Sequence, residues 1–263
     1  MTSLIDLSYG AGYAHLRLTC PERMNVLSLA MAEAFNRAVK EVLARRDIGA
    51  LVLSGAGRNF MAGGDLNGFA EADDKPAFIA QTIDLMHEAL LQLAQSDLIT
   101  LAAVQGPTAG AGVSIAAMSD LVIAAEGASF TMAYTRIAGG PDCGATWALP
   151  RALGLKRAME MVLLNAPISA QEALGAGLIN SIVPPDQLLE VTLSLAETLG
   201  AGPRAAQGSA KKLLRQALGA DLPQMLEAER AAFVRLAAEA DFAEGVSAFL
   251  QRRKPQFTGQ GSL

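Results

Sequence analysis

The sequence is poor in cysteine, histidine and charged residues, and each shortage excludes a class of protein. Two cysteines and two histidines occur in 263 residues. They form no C-x-x-C pair and show no spacing typical of zinc ligands, so we expect neither a metal site nor a disulfide framework. Charged residues make up 18% of the chain and hydrophobic residues 51%, which is the opposite of the balance that keeps a chain disordered. No apolar run approaches the roughly 20 residues that a membrane span needs.

The formal net charge of −5 disfavours binding to a phosphate backbone. The first six residues, MTSLID, lack the basic region and the long apolar core of a signal peptide. We therefore expect a cytoplasmic protein with reduced thiols at Cys20 and Cys143 and with no nucleic-acid or membrane partner. The surplus of apolar residues favours a subunit interface that hides part of them.

Short apolar runs alternate with amphipathic helices, which predicts an α/β fold with a largely parallel sheet. The second strand alternates in polarity, and this places His15 on a surface face. We expect a core over residues 1–195 and a helical C-terminal subdomain over residues 196–263. The predicted strands and helices are two strands around a turn at 9–12, a helix from Leu27 to about Arg45, a strand at 50–53 buried on both faces, a helix at 76–95, a strand at 100–104, a short helix to Ser119, and strands at 121–125 and 178–183.

Two glycine-rich loops, 55–66 and 106–112, follow two of the predicted parallel strands and precede helices. Ligands of α/β proteins bind beyond the carboxyl ends of such strands, where helix N-termini present unpaired N–H groups. Neither loop fits a nucleotide-binding motif. The loops therefore predict a shared anion or oxyanion site, although any single glycine could serve only a tight turn or close packing.

Three segments carry a family resemblance that covers nearly the whole chain. Residues 58–66, RNFMAGGDL, resemble the F-x-A-G-x-D-L signature of the crotonase (enoyl-CoA hydratase/isomerase) superfamily. Residues 103–112, AVQGPTAGAG, are similar to its A-V-N-G-x-A-x-G-G-G loop, and residues 21–27, PERMNVL, to its P-x-x-x-N-A-L segment. The resemblance implies a crotonase-like ββα spiral core and a helical C-terminal subdomain that forms homotrimers or hexamers.

The resemblance also implies an acyl-CoA thioester site, in which the backbone N–H groups of Gly64 and Ala111 bind the thioester oxygen. Donors aimed at a nascent enolate stabilise its charge, and the loss of one costs about 3–4 kcal/mol. Coenzyme A is then part of the substrate, and no separate cofactor is implied. The alternative for Asp65 is a purely structural role, as the cap of the short helix that begins there. The other residues that the resemblance assigns to substrate binding are Arg23, Met24, Ala62, Asp65, Leu66, Gly110, Tyr134, His87, Lys254 and Phe257.

Hydratases of this superfamily use two glutamates, whose positions fall at Ser114 and Tyr134. Neither side chain can replace a carboxylate as acid or base at neutral pH, so hydration by two glutamates is disfavoured. Residues 140–151 resemble a stretch of the ring-epoxide isomerases of phenylacetyl-CoA breakdown, and residues 241–250 extend the match. Asp142 matches their acid/base, which implies an acyl-CoA isomerase of fatty-acid or aromatic-acid catabolism. Without the resemblance, Asp142 would be read as a helix cap.

Three other functions stay open from the sequence. The spacing of His87 before Ala111 resembles that of aryl-CoA dehalogenases, with Asp142 as nucleophile and His87 as base, although a half-exposed helix histidine is the simpler interpretation. A serine hydrolase built from Ser114, His87 and Asp142 lacks the G-x-S-x-G motif. A catalytically silent acyl-CoA-binding protein is also compatible, because both usual glutamates are missing.

Overall fold

The computed structural model describes residues 3–259, in which the strands form two sheets. The strands are β1 (Ile5–Tyr9), β2 (Tyr13–Leu18), β3 (Ala50–Gly55), β4 (Ile99–Val104), β5 (Pro107–Ala109), β6 (Leu121–Ala125), β7 (Ser129–Thr131), β8 (Ile168–Ser169) and β9 (Ser181–Val183). The larger sheet has the order β1-β2-β3-β4-β6-β9, and β5-β7-β8 form the smaller one. In the larger sheet β1 is antiparallel to β2, and every other pair is parallel. The predicted α/β class with a largely parallel sheet is confirmed.

Helices follow the strands and then dominate the C-terminal third. Those over the described residues are α1 (Leu29–Leu43), α2 (Leu66–Glu71), α3 (Lys75–Gln95), α4 (Ala111–Met118), α5 (Ala145–Leu153), α6 (Leu155–Leu164), α7 (Ala170–Ala176), α8 (Leu188–Gly200), α9 (Arg204–Ala217), α10 (Leu222–Leu236) and α11 (Ala240–Leu250). Side-chain caps set the starts of the two long core helices, since Ser28 accepts from an amide of α1 and Asp74 from one of α3. None of these helices combines the length and apolar character that a membrane span requires.

The central strands of the larger sheet are buried on both faces, as the sequence predicts for residues 50–53. Leu51 and Leu53 of β3 belong to a core that includes buried residues of α1, α3 and α4. Val52 points to the opposite face, where Leu188 and Ala196 of α8 pack. All residues of β3 and β4 are buried. Residue 195, the predicted end of the core, falls inside α8, which packs on the sheet up to its last turn.

The prediction of a surface position for His15 is wrong. The side chain is buried, and its Nε2 lies 2.7 Å from the hydroxyl of Ser54 in β3. The alternation does place His15 on the opposite face of β2 from Leu16, but α8 packs against that face. The smaller sheet was also not predicted, because strands of two or three residues are too short to show a period.

Candidate active site

The loops that follow β3 and β4 are joined by backbone hydrogen bonds. Because β3 and β4 are parallel neighbours, their carboxyl ends lie side by side at one edge of the sheet. The amide of Phe60 donates to the carbonyl of Gln105 at 2.9 Å, and the amide of Ala109 donates to the carbonyl of Met61 at 3.0 Å. The two glycine-rich segments are therefore in direct contact at the edge where α/β proteins bind ligands.

Glycine is required where the two loops meet. Gly63 has φ +91° and Gly110 has φ +51°, backbone conformations that residues with a side chain rarely adopt. A Cβ atom at Gly110 would lie 3.4 Å from the Cα of Gly63, and one at Gly63 would lie 3.3 Å from the carbonyl oxygen of Ala109. Because Gly63 and Gly110 are in close contact, the residues that follow them, Gly64 and Ala111, lie near each other.

Asn25, which lies in a third segment of the chain, holds the first loop in position through hydrogen bonds. Its side chain is fully buried and donates to the carbonyls of Ala56, Asn59 and Phe60 at 2.9–3.1 Å. Its Oδ1 accepts the amide of Cys20 at 3.0 Å. No role was predicted for Asn25, although the asparagine of the P-x-x-x-N-A-L segment is the signal that could have indicated one.

The backbone around Gly64 directs its N–H group away from the core. The amide of Leu27 donates to the carbonyl of Gly63 at 2.8 Å, and the amide of Asp65 donates to the carbonyl of Leu27 at 3.0 Å. The residues described contain no cis peptide bond. In a trans peptide the N–H group points opposite to the preceding carbonyl. The Gly64 N–H group therefore points away from Leu27.

Ala111 supplies a second amide because it is the first residue of α4. Gly110 is the N-cap of that helix, and its carbonyl accepts the amide of Ser114 at 3.1 Å. The N–H group of a first helical residue has no acceptor within its helix, and the positive end of the helix dipole lies there. Gly64 and Ala111 thus carry two amides beside the place where the loops meet, and their role as an oxyanion hole stays a prediction.

A chain of hydroxyl groups connects this site to Asp142. The Tyr134 hydroxyl donates to Oδ1 of Asp142. Oγ of Ser114, in α4, lies 3.1 Å from the Tyr134 hydroxyl and 3.3 Å from the carbonyl oxygen of Gly110. The two side chains at the positions of the hydratase glutamates therefore contact each other, and they lead from the carboxylate to the loop that carries Ala111.

The Tyr134 hydroxyl, which donates to Asp142, and the neighbouring Cys143 thiol stay protonated at neutral pH. Burial raises the pKa of Tyr134 far above its ordinary value, and the negative charge of Asp142 adds to this. Burial and the same charge raise the pKa of the neighbouring Cys143 thiol. The carboxylate thus lies beside two neutral groups, and the Tyr134 hydroxyl is the one shown to donate to it.

Asp142 lies in a left-handed turn before α5 rather than at its cap. Cys143 has φ +51° and Gly144 φ +79°, and Gly144 is the N-cap residue, with no side-chain cap. The cap interpretation of Asp142 is therefore wrong, because the turn directs the carboxylate to Tyr134. Nε2 of His87, which is exposed on α3, accepts the amide of Cys143 at 3.2 Å.

The serine-hydrolase alternative does not fit these contacts. A hydrolytic triad needs a hydrogen bond between serine and histidine. The hydroxyl of Ser114 instead contacts Tyr134 and Gly110, while His87 bonds to backbone. Residues 3–259 also bring together no group of three or more His, Cys, Asp and Glu side chains that could hold a metal ion.

The residues assigned to the coenzyme A arm border the first loop. Nη2 of Arg23 lies 2.6 Å from Oδ1 of Asp65, and the same oxygen accepts the amide of Gly68 at 3.3 Å, so Asp65 does cap α2. The amide of Ala62 donates to the carbonyl of Met24 at 3.1 Å. Met24 itself is exposed, as is Leu66 at the start of α2, so both offer apolar surface beside the loops.

Lys254 and Phe257 lie elsewhere in the single chain. Phe257 packs against Gly245 of α11, and Lys254 is exposed on the same C-terminal segment. Their contacts are with the C-terminal helices rather than with the two loops. Their assignment to the adenine end of coenzyme A stays a prediction.

Comparison with known proteins identifies the family. The sequence model of the family described as enoyl-CoA hydratase/isomerase matches residues 9–260. The chain belongs to this family. A probable enoyl-CoA hydratase of Rhodobacter capsulatus is 41% identical over 251 residues, which cover 95% of each protein. The 1,2-epoxyphenylacetyl-CoA isomerase of Escherichia coli is 38% identical over 95% of this chain and 96% of its own.

Solved structures of the enoyl-CoA hydratase/isomerase family share the fold. An enoyl-CoA hydratase from Polaromonas superposes with a TM-score of 0.91 at 33% identity, covering 96% of this chain and 99% of its own. The crotonase-like fold that the sequence implied is therefore confirmed, as is membership of the superfamily. Relatives named as hydratases and as an isomerase match at similar identity, so family membership establishes an acyl-CoA enzyme of the hydratase/isomerase type.

Proposed function

We propose that this protein is an acyl-CoA isomerase with Asp142 as its acid/base. The observation that carries the proposal is the contact between Asp142 and Tyr134 beside the loop of Ala111. Hydration by two carboxylates has no second carboxylate here, because Ser114 and Tyr134 stand at the glutamate positions. Isomerisation needs a single group that removes a proton and returns it elsewhere. The similarity to a 1,2-epoxyphenylacetyl-CoA isomerase supports the same choice.

In the proposed mechanism the thioester oxygen binds the amides of Gly64 and Ala111. Asp142 removes a proton from the α- or γ-carbon, and the electron pair moves onto the thioester oxygen. The two amides stabilise the enolate, which contributes about 3–4 kcal/mol per donor. The protonated Asp142 then returns the proton to another carbon of the same allylic system. Coenzyme A takes part only as the handle of the substrate, and the mechanism uses no other cofactor and no metal.

An aryl-CoA dehalogenase-like reaction is the second candidate, because His87 lies beside the turn that carries Asp142. In that reaction Asp142 attacks the ring and His87 activates water for hydrolysis of the ester. The contact of Nε2 with the amide of Cys143 counts against it, since this lone pair is occupied. A silent acyl-CoA-binding protein would hold the thioester without turnover.

The test is a panel of enoyl-, dienoyl-, ring-epoxide and chloroaryl-CoA thioesters, assayed with the wild type, Asp142→Asn and His87→Gln. We expect double-bond or ring isomerisation that falls at least about 100-fold in Asp142→Asn, with unchanged thioester binding as the control. Little effect of His87→Gln would separate isomerase from dehalogenase. Incorporation of solvent ¹⁸O into the acyl product, halide release, or binding without turnover would each overturn the proposal.

We further propose a cytoplasmic homotrimer or hexamer. The support is the apolar side chains that α10 and α11 expose in the single chain, for which an interface between copies is the common explanation. In such an assembly Lys254 and Phe257 could reach the coenzyme A arm of a bound substrate, and this remains part of the proposal.

A further inference from the structure

From the contacts around Asp142 we infer that Tyr134 and Ser114 are positioning residues that couple the protonation of Asp142 to the strength of the Ala111 amide. The inference rests on the proposed function, because it assigns Asp142 the role of base. It goes further by linking the base and the oxyanion hole through one hydrogen-bonded chain. The chain has four members, Asp142, Tyr134, Ser114 and the Gly110 carbonyl.

The direction of the chain follows from where hydrogen atoms are available. An ionised Asp142 carries no hydrogen, so the Tyr134 hydroxyl must donate to it. The oxygen of Tyr134 can then only accept, and Ser114 Oγ, 3.1 Å away, is its donor. The single hydrogen of Ser114 is thereby used, and the Gly110 carbonyl keeps the backbone amide of Ser114 as its partner.

Uptake of the substrate proton allows the chain to reverse. The α-C–H bond breaks, its electron pair moves to the thioester oxygen, and a new O–H bond forms on Asp142. The protonated carboxyl can now donate to Tyr134, Tyr134 to Ser114, and Ser114 to the carbonyl of Gly110, 3.3 Å from its Oγ. Only the first step moves a proton between heavy atoms, and each later step is a rotation of a hydroxyl group.

The reversal acts on the oxyanion hole through one peptide bond. The carbonyl of Gly110 and the N–H group of Ala111 belong to the same peptide, so a second donor on the carbonyl polarises the amide. The Ala111 N–H group becomes a stronger donor at the moment when the enolate oxygen needs it. The enolate is thus stabilised while Asp142 holds the proton that it must return.

The surroundings of Asp142 favour such a chain. The hydroxyl of Tyr134 and the thiol of Cys143 lie next to the carboxylate. Two further groups lie one hydrogen bond away: the hydroxyl of Ser114 on α4 contacts Tyr134, and the imidazole of His87 on α3 accepts the amide of Cys143. Burial keeps the pKa of Tyr134 raised, so this hydroxyl does not ionise when Asp142 does. Ser114 is fully buried, which protects its hydrogen bonds from competing water.

The experiment uses phenylacetyl-CoA in D₂O as the probe and measures α-proton exchange against pH. The variants are Tyr134→Phe and Ser114→Ala, with Tyr9→Phe and Ser119→Ala as controls. Ser119 is the C-cap residue of the helix that carries Ser114, and its hydroxyl donates to the carbonyl of Ile115. Because Tyr134→Phe removes a donor to the carboxylate, we expect the acid limb of the profile to move up by about one pH unit or more. Thioester binding should stay within about twofold, since neither variant removes an oxyanion amide.

A second readout reports the oxyanion hole directly. The ¹³C=O stretch of bound, labelled phenylacetyl-CoA should fall in frequency as the pH drops through the acid limb in the wild type, because Ser114 then donates to Gly110. Ser114→Ala should abolish this pH-dependent shift, whereas Ser119→Ala should keep it.

Two results would overturn the relay: a carbonyl stretch that does not respond to pH in the wild type, or a Tyr134→Phe profile that matches the wild type. Absence of α-proton exchange in the wild type at every pH would instead refute the proposed function. The carbonyl stretch would still decide on the relay in that case.

Discussion

A single buried side chain, His15, shows how burial changes chemistry in this protein. Its imidazole lies on the face of the larger sheet that α8 covers, with Nε2 2.7 Å from the hydroxyl of Ser54 in β3, and only 9% of the residue is exposed. Burial lowers the pKa of His15 below its ordinary 6.5, and the charge of Arg17 lowers it further. The folded protein therefore holds the neutral imidazole.

This lowered pKa predicts a loss of stability on acidification. Below pH 6.5 the unfolded chain protonates His15 while the folded chain does not, so the unfolded state binds more protons. Stability is fully present above this pH and falls as the pH drops towards the folded-state pKa. His15→Gln, which can keep a bond to Ser54, should lose less unfolding free energy between pH 7 and 5 than the wild type in urea titrations.

The exposed His87 supplies the control for this prediction. His87→Gln should retain the wild-type decrease in unfolding free energy. An equal decrease in His15→Gln and the wild type would show that other groups cause the acid sensitivity.

At the scale of elements, a buried ionic cluster fastens α9 to the sheet. Nζ of Lys211 donates to the carbonyls of Leu93 and Leu98 at 2.8 and 2.7 Å and lies 3.0 Å from Oδ2 of Asp120. Oδ1 of Asp120 lies 2.7 Å from Nη2 of Arg215, also on α9. One carboxylate thus neutralises two cations where β6 begins.

Asp120→Asn should therefore be strongly destabilising. Removing one partner of a buried ion pair leaves an uncompensated charge and typically costs about 3–5 kcal/mol. The matched control is Asp47→Asn, which breaks the exposed pair with Arg45 and should cost less than about 1 kcal/mol. Urea unfolding of both variants measures the difference, and similar values for the two would refute a structural role for the cluster.

The predictability of an element from the sequence depends on its length. The 21 residues of α3 contain enough apolar repeats to place its ends within one residue of the expected bounds. The sequence could not indicate that α8, about 170 residues after His15, would cover that face of β2. The bond between Tyr134 and Asp142 likewise depends on the left-handed turn at Cys143, which the local sequence does not encode.

The family resemblance located the two loops of the candidate site because their backbone geometry depends on glycine. Positions such as Gly63 and Gly110 are restricted by a positive φ and by close approach, so they leave a sequence signature. Side chains that contact each other across distant segments leave a weaker sequence signature. Asp142 was assigned from the resemblance of residues 140–151, whereas the hydroxyl chain that contacts it was not predicted.

At the scale of the whole molecule, two C-terminal helices expose several large apolar side chains. Phe249 of α11 is 83% exposed and Leu250 75%, while Leu222 and Phe233 of α10 are 70% and 66% exposed. Isolated exposed apolar residues are common, but a contiguous patch marks an interaction surface. The grouping of these side chains on two consecutive helices favours contact with another copy of the chain.

This surface predicts the oligomeric state and its sensitivity to charge. Light scattering of the wild type should give three or six times the 27.3 kDa of one chain. A double substitution, Phe249→Glu with Leu250→Glu, should release smaller species, because burying two carboxylates without partners costs several kcal/mol for each charge. Val191→Glu, a charge placed on α8, should keep the wild-type mass. A wild type that elutes as a monomer, or a double variant with unchanged mass, would show that these helices do not form the interface.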